Sequence, residues 1–238
     1  MNKPIFKRFR TLSKFDLLSD MHIHTVWTDG ENTSVEMLDV AVEKGLRMIA
    51  FTDHVRKNSS YCKDFVGEIK TIARNSKIEL YAGFEAKIKD FNGNLDIPEY
   101  CSRNKHLIIG SVHSIPVDNG KFLHPEFFKP LEKLQECEYR LYLGLLKSGQ
   151  ADILGHVGGM SNSFAGGFSM DLMEDLILKC AATETAFEIN SRYHSNIIKE
   201  LLVLLEKYNP AISIGSDAHN VSETGECLKL LRKHRVGK

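Results

Sequence analysis

The 238-residue chain has no excess of charge of either sign, because 31 Lys and Arg balance 31 Asp and Glu. It therefore lacks the clustered cations that duplex nucleic acid demands, and nucleic acid is not an expected partner. Paired thiols are also missing. Cys62, Cys101, Cys137, Cys180 and Cys227 are scattered, and none belongs to a Cys-x-x-Cys pair. That argues against a disulfide scaffold and against a thiolate zinc site. Reduced thiols in the cytoplasm are the simplest expectation. No apolar run approaches the roughly 18 residues of a membrane span, so no membrane partner is expected. Low-complexity tracts, Pro-, Gly- or Ser-rich linkers and internal repeats are absent too. Residues 1–15 carry Lys3, Lys7, Arg8, Arg10 and Lys14 with no apolar core among them, so they do not read as a secretory signal. A solvated basic extension is expected there, with a phosphate-attracting arm as the alternative.

What the chain does have is a regular alternation of short apolar runs and amphipathic helical patterns. Strands are predicted at Leu17–His24, Arg47–Phe51, Ile78–Ala86, Leu107–Val112, Asp152–Leu154, Ala186–Ile189 and Ala211–Gly215. Helices are predicted from Thr33 or Ser34 to Lys44, with Gly45 as the stop, and over Cys62–Arg74, Glu126–Lys147, Ser169–Ala181, Ser195–Tyr208 and Ser222–His234. The longest carries Leu131, Leu134, Leu141 and Leu145 on its apolar side. Strict alternation implies right-handed βαβ crossovers and a parallel sheet. Seven repeats in one domain-sized chain favour an α/β barrel over an open sheet.

The histidines fall in a pattern on this frame. His22 and His24 stand two apart in an extended segment, and residues two apart on a strand point the same way. Asp217 and His219 repeat the spacing after the last predicted strand. Of ten histidines, six (His22, His24, His54, His113, His156 and His219) lie at or just past a strand's C-terminal end. In a parallel barrel those ends form the one face that carries active sites. A lone histidine is more often packed or solvated than a ligand; paired motifs at both ends of a chain reverse that preference. His106, His124, His194 and His234 fall elsewhere, and packed or solvated roles are expected for them. Asp29, Glu85 and Asp217 share the face with the six, which makes nine candidate ligands, too many for one ion. Neutral imidazole with carboxylate suits a catalytic divalent metal that keeps a position open for water.

Seven segments run in order from about residue 19 to 221: Asp20-Met-His22-Ile-His24-Thr, Trp-Thr-Asp29-Gly, Phe-Thr-Asp-His54, Gly-Phe-Glu85, Gly-Ser-Val-His113-Ser, Leu-Gly-His156 and Gly-Ser-Asp217-Ala-His219. Together they resemble the PHP (polymerase and histidinol phosphatase) family. The resemblance implies a single-domain, distorted (β/α)7 TIM-like barrel over 16–238 and a centre of two or three divalent transition metals, Zn, Mn or Fe. His22, His24 and Asp217 would hold one metal, and Glu85 would bridge to a second, completed by His113 and His156. Asp29, His54 and His219 would hold a third. Some members carry histidine where Asp29 stands; a carboxylate adds negative charge there and could shift the preference toward manganese or iron.

The expected reaction is hydrolysis of a phosphate ester by a metal-bound hydroxide, with Glu85, Asp217 and His219 at the reacting centre. Adjacent divalent ions bring the pKa of a shared water to around neutral and offset the phosphate's charge. Arg192, just past the sixth predicted strand, is placed to clamp phosphate bidentately, as an arginine in this region is expected to do in histidinol-phosphatase-like relatives. The alternative for it is a surface pair with Glu188 or Glu200. Asn190 and His194 are further substrate-binding candidates. Ser111, Ser114 and Ser216 read as turn or supporting residues. Asp20 and Asp53 are candidates to orient imidazoles or to serve only in turns. Gly158-Gly159 and Gly166-Gly167 around Phe164 mark either a mobile loop over the site or a long surface loop. A small phosphorylated metabolite is the expected substrate, with specificity carried by Lys87–Cys101 and Ile115–Phe128. A phosphodiesterase or 3′–5′ exonuclease is the alternative on the same fold. A non-catalytic metal-binding module is disfavoured because every ligand is kept, and C–N hydrolysis because no bridging lysine is evident.

Overall fold

The computed structural model describes residues 3–103, 106–117, 121–128, 130 and 132–237. Its strands are β1 (Ser19–Ile23), β2 (Met48–Phe51), β3 (His54–Val55), β4 (Glu79–Lys87), β5 (Leu107–Ser111), β6 (Ile115–Val117), β7 (Lys121–Leu123), β8 (Ile153–Leu154), β9 (Ala186–Asn190) and β10 (Ile212–Gly215). The helices are α1 (Ser34–Glu43), α2 (Cys62–Ala73), α3 (Glu99–Arg103), α4 (Glu132–Ser148), α5 (Gly159–Phe164), α6 (Met170–Ala181), α7 (Ser191–His194), α8 (Ile198–Tyr208) and α9 (Glu226–Lys233).

Seven strands pair in parallel in the order β1-β2-β4-β5-β8-β9-β10, and β3 adds to the upper half of β4 with His54 opposite Glu85. The barrel closes past the end of β10 rather than along it. The backbone N–H of His24 donates to the carbonyl of Ala218 at 2.8 Å, and Ala218 returns a bond to His22 at 3.3 Å. The chain is thus a nearly closed parallel α/β barrel. One apolar layer lies between the strands and the helices, including Ile49, Phe51, Phe84, Phe187, Leu176 and Leu201. A second, smaller cluster fills the barrel itself with Met21, Ala50, Leu107, Ile109, Ile153, Ala186 and Ala211.

An irregularity in β1 connects this core to the site. Between Asp20 and Ile23 the register against β2 slips, so that three steps on β1 span two on β2. A bulge of this kind interrupts strict alternation and re-aims side chains. Met21 packs in the interior cluster, and the next residue, His22, joins the polar cluster above it.

The predicted elements recur with shorter ends. α1 opens on a capping box in which the Thr33 side chain accepts from the Glu36 N–H and Glu36 reaches back to Thr33. The third predicted helix begins at Glu132 rather than Glu126, because His124-Pro125 starts a separate 3-10 turn over Pro125–Phe127. Leu131 lies outside the described residues. The fifth helix, predicted from Ser195, starts only at Ile198 as α8, and a separate short α7, capped by Asn190, precedes it. The last starts at Glu226, after Gly225 in a left-handed conformation.

The expectation of a solvated tail over residues 1–15 is corrected. Phe9 and Leu12 are buried. Arg8 pairs antiparallel with Ala211; its guanidinium donates to the Ala181 carbonyl at 2.6 Å, and that of Arg10 to the Glu206 and Lys207 carbonyls at 2.6 and 3.0 Å. These are helix C-terminal carbonyls, which favour cations. Phe6 packs on the interior cluster from below. The arginines therefore seal the end of the barrel opposite the histidines, and the phosphate-attracting arm is not what they form.

Candidate metal centre

Six histidines and three acids arrive at the C-terminal mouth of the barrel from six strands and the loops that follow them. Glu85 stands near the C-terminal end of β4 with 1% of its surface exposed, and imidazoles face both of its oxygens. Oε1 lies 2.9 Å from His156 Nε2 and 3.1 Å from His113 Nε2. Oε2 lies 2.9 Å from His54 Nδ1 and 3.5 Å from both His22 Nε2 and His24 Nε2. Asp217 Oδ1 approaches His24 Nε2 at 3.2 Å and His22 Nε2 at 3.6 Å. On the outer side, Asp29 Oδ2 lies 3.2 Å from His54 Nε2 and 3.5 Å from His219 Nε2.

These donors fall into three overlapping groups, each with ligand atoms within 4.8 Å of one another: His22, His24 and Glu85; His54, Glu85 and His113; His24, Asp29, His54 and His219. Every one of the nine expected ligands is in or against this cluster. His24 and His54 sit between groups, so the boundaries are less sharp than a one-metal-per-triplet assignment implies. The donor chemistry fits divalent ions on one further observation: His22 Nε2, His24 Nδ1 and Nε2, and His54 Nδ1 are buried without hydrogen-bond partners among the described residues. A buried polar atom left unpaired is costly, and lone pairs converging on a carboxylate are what a cation requires.

The charges show the same demand. Burial disfavours ionised Glu85, yet His113, His22 and His54 hold its carboxyl well below the usual range. Burial also disfavours the His22 cation, and Glu188, Glu85 and Asp217 override it to raise that imidazole well above its ordinary value. His54, only partly buried, is pushed up to about 10 by Glu85 and Asp29. His24, where burial dominates, falls to about 4. Protonated imidazoles thus supply positive charge where carboxylates have been gathered.

Two site residues have unusual backbones. His156 and Asp217 sit at φ of +26° and +55°, in the region that favours glycine. Next to His156, a Cβ on Gly159 would lie 2.9 Å from the His156 ring nitrogen Nδ1, so the close turn needs a glycine there. The loop after His156 is not a free lid. It forms α5, whose first turn is held by the buried Glu138, accepting from Ser161 N at 2.8 Å and Ser161 Oγ at 2.5 Å.

The remaining expected site residues divide. Arg192 is at the rim, a third exposed, with Nη2 at 2.9 Å from Glu223 and Nε at 3.7 Å from Asp217 Oδ2. Its partners are these acids and not Glu188 or Glu200. Asn190 and His194 are corrections. Asn190 Oδ1 accepts from the Arg192 and Tyr193 backbone, and its Nδ2 donates to Glu188. His194 is fully buried, with Nδ1 accepting from Asn190 N at 3.1 Å and Nε2 against the Val157 carbonyl at 2.9 Å. Neither has a free polar atom for substrate. Asp20 and Asp53 orient no imidazole. Asp20 accepts from Ser216 and Gly225, and Asp53 from Thr25 and Thr28. They are turn residues that hold the ligand-bearing loops.

Three residues were not anticipated. Glu188 lies directly behind His22, 2.7 Å from Nδ1. Tyr61 donates its hydroxyl to the His54 carbonyl and stacks on Trp27 in the loop that carries Asp29. The signal for Glu188 was available: Glu188 and Asn190 are polar residues two apart on an apolar strand, as His22 and His24 are. Tyr61 and Trp27 had no such signal, since aromatic residues in loops are mostly core.

The geometry defines a class, parallel barrels with a cluster of histidines and carboxylates suited to divalent metal at the strand ends. The chain belongs to the PHP domain family, whose model matches residues 20–212. It is 28% identical over 218 residues to a protein of Caldicellulosiruptor bescii named probable phosphatase, covering 87% of this chain and 82% of that one. A Vibrio parahaemolyticus protein with the same description is 27% identical, covering 94% and 88%. Among solved structures, the histidinol phosphate phosphatase of Lactococcus lactis, complexed with zinc, L-histidinol and phosphate, has a TM-score of 0.68 at 18% identity, covering 91% of this chain and 93% of that one. That likeness bears on the fold.

Proposed function

We propose that the protein is a metal-dependent phosphomonoesterase that acts on a small phosphorylated metabolite. The enzyme class, a phosphoesterase, is where the family match and the probable-phosphatase relatives agree. The observation that carries the reading is Glu85, a buried carboxylate with imidazoles against both oxygens, where the nitrogens facing Oε2 (His22 Nε2, His24 Nε2 and His54 Nδ1) lack hydrogen-bond partners among the described residues.

His22, His24, Glu85 and Asp217 would hold one divalent ion, Glu85, His113 and His156 a second, and Asp29, His54 and His219 a third. Zinc, manganese and iron all suit the donors, and the Lactococcus lactis structure holds zinc. When bound, such ions lower the pKa of water enough for it to attack phosphorus at neutral pH. The chain's own part is to gather the donors, to keep Glu85 and Asp217 ionised, and to present Arg192 to the phosphate oxygens. Arg192 is suited to that because Glu223 and Asp217 hold its guanidinium from two sides while it stays open to solvent. The L-histidinol and phosphate of the Lactococcus lactis complex support a small metabolite as substrate. Four of the five free cysteines are buried, which agrees with a reducing compartment such as the cytoplasm.

The test is hydrolysis of p-nitrophenyl phosphate beside bis-p-nitrophenyl phosphate. Monoester turnover that chelation abolishes and added metal restores supports the reading. Preference for the diester would replace it with a phosphodiesterase, and chelator-resistant turnover would reject the metal role.

A further inference from the structure

His22 differs from the other five histidines of the centre in what stands behind it. His24 Nδ1, His113 Nδ1 and His156 Nδ1 have no hydrogen-bond partner among the described residues. His219 Nδ1 faces the carbonyl of Asp217 at 2.9 Å. Among the described residues, His22 alone of the six has a buried carboxylate on the side away from the cluster, Glu188 Oε1 at 2.7 Å. Glu188 is itself completely buried. Its other oxygen accepts the backbone N–H of His156 at 2.5 Å and the Asn190 side-chain amide at 3.2 Å.

All three partners of Glu188 are donors or serve as one. An ionised carboxylate accepts on both oxygens, whereas an amide accepts on one and would turn an NH2 toward a donor on the other. The room for this carboxylate is made by Gly215 on the neighbouring β10. A Cβ there would lie 2.1 Å from Glu188 Oε1 and 2.8 Å from His22 Cβ. A glycine, a buried acid and a histidine on three strands are thus fitted to one contact.

We propose that Glu188 is a positioning residue of the metal centre. Its carboxylate fixes His22 as the Nδ1–H tautomer, so that Nε2 offers its lone pair to the ion beside Glu85 and Asp217. Through the backbone of His156 it also sets the depth of a second donor. The proposal rests on the metal-binding part of the function given above and not on the identity of the reaction. Partners of this kind orient a ligand and raise its basicity, and their loss typically weakens metal binding about 10- to 100-fold.

The experiment uses full-length protein loaded with zinc, with histidine labelled by 15N. Long-range 1H–15N correlation reports the tautomer of each ring, and competition with a chromophoric chelator reports zinc affinity. In the wild type His22 is expected to carry its proton on Nδ1. Glu188→Gln should weaken the tightest zinc roughly 10- to 100-fold and shift or broaden the His22 signals, with the far-ultraviolet dichroism unchanged. Gly215→Ala should do the same with Glu188 still present, because it displaces the carboxylate. Wild-type zinc affinity in both variants would overturn the proposal. So would a wild-type His22 protonated on Nε2, a result that needs no variant to fold. Neither readout depends on turnover, so a protein that binds zinc in this way yet hydrolyses no phosphate ester would refute the proposed function and leave Glu188 its role.

Discussion

The deep wall and the outer rim of the centre are built differently. On the deep side, His22, His24, Glu85 and Asp217 are almost wholly buried, sit on strands or immediately after them, and are backed by Glu188 and the barrel wall. On the outer side, the Asp29 side chain is half exposed, and His54 and His219 are about a quarter exposed. Asp29 and His219 are carried by loops braced by Trp27 and Glu223, and His54 by the two-residue β3, whose carbonyl Tyr61 holds. Burial raises the cost of uncompensated charge and strengthens the pull on a cation. The deep donors should therefore hold an ion firmly, and the outer donors should exchange theirs.

Substitutions on the two sides give the largest contrast. His22→Ala should lower turnover of p-nitrophenyl phosphate on the order of 1000-fold, as loss of a central electrostatic stabiliser does, and should lower the metal content of the purified protein. Asp29→Asn should cost roughly 10- to 100-fold, with activity recovered at raised metal concentration, as expected for weakened rather than abolished binding. Equal and unrecoverable losses would erase the distinction between wall and rim. Next in size is Arg192→Ala, which should raise KM for the monoester about tenfold or more, with kcat little changed, because the charged hydrogen bonds lost are of uniform binding type. A kcat-only effect would assign Arg192 to holding Asp217 instead.

The pH dependence sharpens the same comparison. In the metal-free protein both His22, raised well above its ordinary value, and His54, at about 10, are protonated at pH 7. A metal ion must displace those protons, so affinity should rise with pH up to about 10, and binding should release protons. Calorimetry in buffers of different ionisation enthalpy should show this release, and buffer-independent heats would contradict it. The smallest effect on catalysis is expected farthest away. Arg8→Ala, at the closed end of the barrel, should lower stability by about 1–2 kcal/mol through lost hydrogen bonds and leave KM and kcat unchanged.

Much of this was legible in the sequence, for a physical reason. Parallel barrels bring strand C-termini to one face, so histidines at several strand ends are enough to predict a cluster, and the structure gathers the six histidines there with Asp29, Glu85 and Asp217. The bulge in β1 was not legible, because apolar Met21 and polar His22 give no sign of a register slip. Asn190 and His194 looked like substrate contacts from their place beside Arg192. They are buried where α7 follows β9: Asn190 caps α7 and donates to Glu188, and the His194 ring is held by the Asn190 N–H and the Val157 carbonyl. The basic N-terminal segment read as solvated because its cations are dense. Its arginines instead meet helix C-terminal carbonyls, partners that only the tertiary fold supplies. The hairpin of β6 and β7 and the short α3 and α5 lie in segments without clear periodicity.

The central claim is that Glu85 gathers divalent ions on which hydrolysis depends. Its most direct test is a titration of chelator-stripped protein with zinc or manganese, monitoring p-nitrophenyl phosphate hydrolysis in the wild type and in Glu85→Gln. The account predicts no turnover without metal, recovery that requires more than one equivalent per chain in the wild type, and no recovery in the variant. Turnover in the stripped protein, or full recovery in Glu85→Gln, would contradict it.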